Sequence, residues 1–238
     1  MDRTLDGFDE VLPAPANRLE APRGPLATFH ELLQHPVRLA ARVLDGQRVL
    51  PQVAWLCLGA VLLLAAYGAS VGFFGGGWLL LVAALKVPLI VFSSLLLCLP
   101  SLYVFGSLSG ARFTRDRFLL CLAAFGGLLA LILMGFLPIS WLFSVSSRSL
   151  GAVAFTNLVV WVVAVALAGA LLRRFLLAYG ARDAAVLWIF LFVLVSFQVT
   201  TYLRPVVDWA PGDPLFVQTK MWFVEHFVRT LGSRAPVL

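Results

Sequence analysis

Residues 53–74 read VAWLCLGAVLLLAAYGASVGFF, and this stretch decides the class of the protein. It carries no charged side chain. An α-helix needs about 20 residues to cross a hydrocarbon core roughly 30 Å thick, and this run is long enough. Lipid offers backbone groups no hydrogen-bond partners, so an apolar run of this length crosses it as a helix. The stretch therefore predicts a transmembrane helix.

The composition of the whole chain agrees with that prediction. The chain has 238 residues, of which 61% are hydrophobic and 13% charged. Soluble domains carry roughly 45–50% apolar and about 25% charged residues. A soluble fold of this size has too much surface for its volume to bury so many apolar side chains. The predicted fold class is therefore all-α, a polytopic bundle of transmembrane helices.

Five apolar runs are predicted to cross the membrane, within a bundle that covers residues 51–205. They are 53–74, 86–106, 118–137, 150–172 and 184–203.

The second of these spans belongs to a longer run, 78–106, which exceeds one straight span and contains Lys86 and two prolines. We expect 86–106 to be the crossing part and 78–85 to be a short helix at the membrane interface. The alternative is a re-entrant pair of segments, which raises the number of spans to six. A chain reversal within lipid leaves backbone groups without partners, so the single crossing is the expectation.

Arginines are distributed unevenly between the two sides of the predicted spans. Cytoplasmic loops carry an excess of Lys and Arg. Here the basic clusters precede the first span and follow the second and the fourth, whereas the loop after the third has only Arg148. Five spans then place the N-terminus in the cytoplasm and the C-terminus outside. The basic residues expected to face lipid headgroups are Arg38, Arg42, Arg48, Arg112, Arg115, Arg117, Arg173 and Arg174.

Both ends of the chain are predicted to lie outside the bundle. Residues 1–26 are polar, acidic and rich in proline, which indicates a disordered cytoplasmic tail and no cleavable signal peptide. Residues 27–50 include an amphipathic helical pattern. That helix either lies on the membrane surface with its arginines toward phosphates or packs on the cytoplasmic face of the protein itself. Residues 206–238 form an outer tail with an aromatic-rich interfacial helix.

Lys86 is the sharpest functional candidate, because it is an ionisable residue within an apolar run. The alternative is that it marks the outer end of the second span and extends to the headgroups. Asn157 and Gln198 are polar positions in the fourth and fifth spans, where they either join helices by hydrogen bonds or line a polar path. The full set of candidate functional or packing positions is Lys86, Pro88, Pro100, Gly106, Gly110, Asn157 and Gln198.

No pattern of catalytic or metal-binding residues is present in the sequence. His30 and His35 lie in the head and His226 in the outer tail, so the three histidines cannot share a site. The cysteines show no CxxC spacing, and there is no P-loop, GxGxxG or HExxH motif. No Asp or Glu lies within the five spans, which weakens a proton-coupled transporter. We expect no enzymatic activity, no metal, no cofactor and no nucleic-acid partner.

Three short motifs of the second span carry a family resemblance. They are Leu85-Lys86-Val87-Pro88, Leu99-Pro100-Ser101 and Gly106-Ser107-Leu108-Ser109-Gly110. Together they resemble the bacterial branch of the Yip1 family of five-span membrane proteins, over roughly residues 50–205. Eukaryotic members are linked to Rab-family GTPases and to traffic between endoplasmic reticulum and Golgi. The preference for arginine over lysine indicates a GC-rich bacterial genome, so the resemblance implies a location in the cell inner membrane. It implies the fold and topology of the family more strongly than the role in trafficking.

The sequence leaves two function classes open. The first is a non-enzymatic membrane scaffold or accessory protein of Yip1-like architecture, which binds membrane lipids and either a membrane-protein partner or further copies of itself. The second is a transporter or permease for a small solute or a lipid, with a polar path near Lys86 and Asn157.

Overall fold

The computed structural model describes residues 24–36, 39, 49–72, 78–110, 114–146, 150–178 and 184–202. Within these residues the regular elements are all α-helices, which confirms the predicted fold class for the described part of the chain. The helices are α1 (Pro25–Gln34), α2 (Leu50–Gly72), α3 (Trp78–Leu108), α4 (Arg115–Gly135), α5 (Leu137–Ser146), α6 (Leu150–Ala178) and α7 (Ala184–Tyr202).

Four of these helices are long and apolar enough to cross a membrane. The qualifying segments are Leu50–Gly72, Leu80–Leu108, Arg115–Gly135 and Ala152–Leu177, with mean hydropathy between 2.0 and 2.5. The protein is therefore a membrane-embedded helical bundle. The predicted fifth span corresponds to α7, whose segment Ala185–Thr200 is equally apolar in character but shorter than the other four.

The second apolar run forms one uninterrupted helix, α3, of 31 residues. The stretch 78–85, expected as a separate interfacial helix, continues directly into the crossing part, and no chain reversal divides the run into a re-entrant pair. Pro88 and Pro100 both lie inside this helix. Each removes one backbone N–H, and transmembrane helices tolerate this where neighbouring helices and hydroxyl side chains satisfy the freed groups.

The long helices close into a ring around an aromatic centre. Going round the ring, α2 packs on α3, α3 on α7, α7 on α6, α6 on α4, and α4 returns to α2. Phe125 of α4 reaches across to α7, where its ring lies 5.2 Å from Trp188 and 5.1 Å from Phe192, edge-on to both. Edge-to-face aromatic pairs at such separations are favourable beyond the area they bury. The ring of Phe125 thus sets the distance between α4 and α7 across the bundle.

The closest helix approach joins α2 to α3 at Gly68. A Cβ added at Gly68 would collide with the backbone carbonyl oxygen of Ala83 and lie 3.1 Å from the Cα of Ala84. Small residues are favoured at such crossings because they allow two backbones to come together. The short connection between the helices makes them an antiparallel hairpin, and Gly68 sets its spacing.

The first helix, α1, packs against the bundle through one face. Pro25 occupies its first turn, where the missing N–H has no cost. Phe29 projects between α2 and α4: a Cβ at Gly59 would lie 2.8 Å from its Cζ, and one at Gly127 would lie 3.4 Å from its Cε1. Gly59 and Gly127 lie near the midpoints of their helices, so α1 contacts the flank of the bundle and not only its end.

A short helix, α5, follows α4 after a single turn residue, where the sequence analysis expected a loop. Pro138 lies in its first turn, which suits a helix start. Ten residues are too few to cross a bilayer. Its apolar side chains Trp141, Leu142 and Phe143 are about half exposed, which suits a helix lying along the end of the spanning helices.

Some predicted features lie outside the described residues. They are the tail 1–23, the arginines Arg38, Arg42, Arg48 and Arg112, the loop residue Arg148, and the outer tail 206–238 with its interfacial helix.

We predict that Gly68→Ala destabilises the bundle by about 1–3 kcal/mol, the usual cost of overpacking a site that cannot yield. The colliding atoms belong to the α3 backbone, so no rotamer change relieves the contact. Gly135→Ala is the matched control, because a Cβ there meets nothing within 4 Å. The measurement is thermal unfolding in mild detergent, and equal melting temperatures for the two variants would contradict the close approach.

Candidate functional site: a polar layer inside the bundle

A hydrogen-bonded cluster joins three helices in the half of the bundle that holds α5. The Tyr67 hydroxyl of α2 donates to Oδ1 of Asn157 on α6 at 2.8 Å. The same hydroxyl lies 3.2 Å from Oγ of Ser140 on α5, and it accepts this second bond because its one proton is donated to Asn157. Tyr67 is only 5% exposed. The cluster therefore lies inside the protein and not on its lipid-facing surface.

Local bonds hold the members of this cluster in place. Asn157 Nδ2 donates to the Val153 carbonyl one turn earlier at 2.9 Å, which fixes the orientation of its amide. Ser70 Oγ donates to the Tyr67 carbonyl at 2.7 Å. Buried polar groups cost free energy unless they find partners, and within lipid those partners must come from the protein. Asn157 is thus committed to Tyr67 and to its own helix.

Lys86 lies at about the same height in the bundle as Tyr67. Gly68 contacts Ala83 and Ala84 across the α2–α3 hairpin, and Lys86 is two residues beyond Ala84, or about 3 Å along the helix axis. The side chain of Lys86 is 6% exposed. Lys86 therefore packs against neighbouring parts of the protein.

The antiparallel pairing of α6 with α7 brings α7 into the same layer. Gly169 approaches Ile189, and the rings of Trp161 and Phe197 lie 5.1 Å apart. From the first pair to the second, the residue number falls on α6 by as much as it rises on α7, as in antiparallel helices with one register. Continued along α6, this register places Asn157 level with the last turns of α7. Polar side chains there include Thr200, whose hydroxyl donates to the Ser196 carbonyl at 2.7 Å, and the half-buried Gln198.

A bond between Trp188 and Cys98 ties α7 to α3. Trp188 Nε1 donates to the Cys98 carbonyl at 2.8 Å, and Trp188 is fully buried. Ser101 Oγ donates to the same carbonyl at 2.7 Å. Lys86 comes as many residues before Cys98 on α3 as Thr200 comes after Trp188 on α7. Because the two helices are antiparallel, Lys86 and Thr200 lie on the same side of this bond, each about 18 Å from it along the helix axis.

The side chains at this level are named the polar layer, and they are Tyr67, Lys86, Ser140, Asn157 and Thr200.

Ser196 Oγ and Gln52 Oε1 are among the buried polar atoms of the described residues that lack a hydrogen-bond partner. Ser196 Oγ lies one turn below the polar layer, on a residue that is 2% exposed. Gln52 Oε1 lies in the first turn of α2, toward the opposite end of the bundle. Neither forms part of a metal site, since no group of three metal-ligating side chains occurs in the described part of the chain.

The arginines that can be located lie at one end of the bundle. Phe136, just after α4, and Phe155, early in α6, line one groove, so the end of α4 meets the start of α6. Arg115 in the first turn of α4 and Arg173 and Arg174 near the end of α6 therefore share the far end. These three are exposed and Arg117 is half-buried. The Thr114 side chain caps α4 by accepting from Arg117 N at 3.4 Å.

The structure separates the remaining candidate positions. Pro88 and Gly106 are buried within α3, whereas Pro100 is exposed on it. Gly110 is exposed in a turn with φ of 92°, a left-handed conformation that favours glycine after a helix end. Its N–H donates to the Ser107 carbonyl at 3.1 Å. Gly110 therefore ends α3 in this structure, and helix packing at this motif falls to Gly106.

Sequence reasoning missed Tyr67, Ser140 and Trp188. Each is a single residue with one hydroxyl or indole N–H within an apolar run, and no sequence motif marks it as different from the other polar residues of the spans. The one available signal was chemical, because a hydroxyl or indole N–H inside a span requires a protein partner.

The comparisons with known proteins give no relative from which to transfer a role. No protein-family model, no curated protein and no solved structure matches this chain.

We predict that a double-mutant cycle of Tyr67→Phe and Asn157→Leu gives a favourable coupling of about 0.6–1.7 kcal/mol, the range for interhelical hydrogen bonds in membranes. The measurement is unfolding free energy in detergent–lipid micelles. Tyr67→Phe combined with Thr200→Val is the control cycle, because the Thr200 hydroxyl bonds within its own helix. Equal couplings in the two cycles would contradict the bond between α2 and α6.

Proposed function

We propose that this chain is a non-enzymatic integral membrane scaffold or accessory protein of Yip1-like architecture. The observation that carries the proposal is that Tyr67, Asn157 and Trp188, inside the bundle, bond to other side chains or to backbone carbonyls. Tyr67 binds Asn157 and Ser140, Asn157 binds its own helix, and Trp188 binds the backbone of α3. Groups used in this way stabilise helix contacts and are not free to act on a substrate.

The shape of the bundle supports a role in contacts with other membrane components. Large apolar side chains point outward along α2, α3 and α7, among them Leu62, Leu85 and Val186, each more than half exposed. In a bilayer these faces are covered by lipid or by helices of a partner. The α2 helix is only 33% buried over its apolar window, against 61% for α4. Of the four long helices, α2 thus has the smallest buried share, which leaves much of its surface for lipid, a partner or a second copy.

The motifs of α3 support the Yip1-like part of the proposal. The Lys86–Pro88 step lies inside the early part of a continuous spanning helix, and Pro100 lies further along the same helix. We propose a multi-pass protein of the cell inner membrane, with five spans including α7, a cytoplasmic N-terminus and an outer C-terminus. The part of the head that follows α1 and the outer tail belong to the same proposal as surface segments.

The exposed arginines support a lipid or protein contact on the cytoplasmic side. Arg115, Arg173 and Arg174 lie at one end of the bundle, where a negatively charged leaflet attracts basic side chains by about 1 kcal/mol each. We infer no cofactor and no nucleic-acid partner, since basic residues beside spanning helices suit membrane orientation.

A second candidate function is transport of a small solute or a lipid. The observation that favours it is the burial of Lys86, at 6% exposure, at the same height as Asn157. A charged residue within a bundle is characteristic of substrate paths. In this alternative, Lys86 and Asn157 line a polar path that opens when the helices move apart.

Crosslinking mass spectrometry in native membranes tests the first function. We predict stoichiometric crosslinks to a partner or to a second copy, and the same set of crosslinks for Lys86→Leu. The matched control is Leu89→Ala on the exposed face of α3, which preserves the buried lysine. Recovery of the protein without any stoichiometric partner or oligomer would contradict a scaffold role.

A second substitution of Lys86, with the same Leu89→Ala control, tests for transport. Proteoliposomes that take up acetate or inorganic phosphate through the wild-type protein, and lose uptake on Lys86→Met but not on Leu89→Ala, would establish the second candidate in place of the first.

A further inference from the structure

A groove of about 230 Å³ opens on the lipid-facing side of the bundle, beneath α5. It lies between the end of α4, the short helix α5 and the first turns of α6. Its lining consists of Phe136, Ile139, Phe155, Thr156, Val159 and Val160. Five of these side chains are apolar and the sixth is the only one with a hydroxyl.

The position of the groove follows from the lengths of the helices. The α4 and α6 helices are spanning helices, whereas α5 is too short to cross a bilayer. The half-exposed Trp141 and Phe143 on α5 are residues that membrane interfaces favour. With α5 along the interface, the groove beneath it lies at the depth where the ester groups and upper acyl chains of lipids are found.

The walls of the groove fit a hydrocarbon chain. Val160 is 5% exposed and forms the floor, whereas Phe155 and Val159 are about half exposed and form the sides. No charged side chain belongs to the lining. The volume suits a segment of one chain and is too small for a whole amphiphile. A helix of a second copy would require a longer and shallower surface than this pocket between three helices.

Thr156 adds a polar contact at one position of this apolar groove. Its hydroxyl is the hydrogen-bonding group of the lining, whereas the neighbouring Asn157 is directed to Tyr67 and Val153. A hydroxyl without a partner inside a membrane is costly. An ester carbonyl of a lipid accepts such a bond and is attached to the chain that fills the groove.

We propose that this groove is a binding site for one acyl chain of an ester-linked membrane glycerophospholipid. The chain lies along α6 against Phe155 and Val159 and over Val160, and its ester carbonyl accepts a hydrogen bond from Thr156. The site goes beyond a scaffold role, because it holds one lipid in a defined position beside the polar layer.

The test uses the full-length protein in nanodiscs that contain a phosphatidylglycerol with a photoreactive diazirine in one acyl chain. Crosslinked residues are mapped by mass spectrometry while unlabelled ester-linked phosphatidylglycerol is added as competitor. We expect saturable crosslinking at Phe155 and Val159. Val160→Trp fills the groove from its floor and abolishes this crosslinking. Val162→Trp, on the exposed face of α6, leaves it unchanged.

A second comparison isolates the hydrogen bond and does not depend on a large substitution. An ether-linked competitor lacks the ester carbonyl and should compete about five-fold less well than its ester-linked counterpart, the loss for one hydrogen bond of about 1 kcal/mol. Thr156→Val preserves the side-chain shape and should make the two competitors equal.

Three results would overturn the proposal. The first is even, unsaturable labelling along α6, which indicates surrounding lipid only. The second is saturable crosslinking that Val160→Trp leaves unchanged. The third is an unchanged preference for ester over ether in Thr156→Val.

Discussion

A polar side chain inside a bilayer has no water to bond, so hydrogen bonds to other parts of the protein are strongly favoured there. The bond from Tyr67 to Asn157 at 2.8 Å and the bond from Trp188 to the Cys98 carbonyl at 2.8 Å both follow from this constraint. Each joins helices that are far apart in sequence. Apolar contacts between helices in lipid lack the hydrophobic driving force of soluble proteins, so such bonds and close packing determine which helices meet.

Close packing supplies the other half of the arrangement. Gly68 allows α2 to touch the α3 backbone, and Gly59 and Gly127 leave the space that Phe29 of α1 fills. Across the ring, Phe125 fixes the distance from α4 to α7 through Trp188 and Phe192. Glycines that leave room and aromatic rings that fill it account for the positions of the helices that the polar bonds do not join.

The sequence predicted the helical membrane class because apolar length is a local property, which a window of about 20 residues records completely. The predicted segments 53–74, 118–137 and 184–203 lie within three residues of α2, α4 and α7 at each end, whereas 150–172 stops six residues before the end of α6. The prediction failed where the outcome depends on tertiary contacts. The run 78–106 is one helix because neighbouring helices support it past Pro88, and proline in isolation indicates a break. The α5 helix and the partners of Tyr67 were equally invisible, since neither has a periodic pattern. Lys86 and Asn157 were identified as unusual, but their shared height required the register of four helices.

The central claim is that Lys86 is buried between the helices, in the polar layer, and does not extend from the outer surface of the bundle. Cysteine accessibility tests this most directly, with Cys57, Cys98 and Cys121 replaced by alanine and a single cysteine introduced as Lys86→Cys. Arg173→Cys, at an exposed arginine of the same protein, is the reference. A membrane-impermeant maleimide should label Arg173→Cys from one side of sealed vesicles and should leave Lys86→Cys unlabelled from both sides until the protein is denatured. Labelling of Lys86→Cys in intact vesicles at a rate close to the reference would contradict the account.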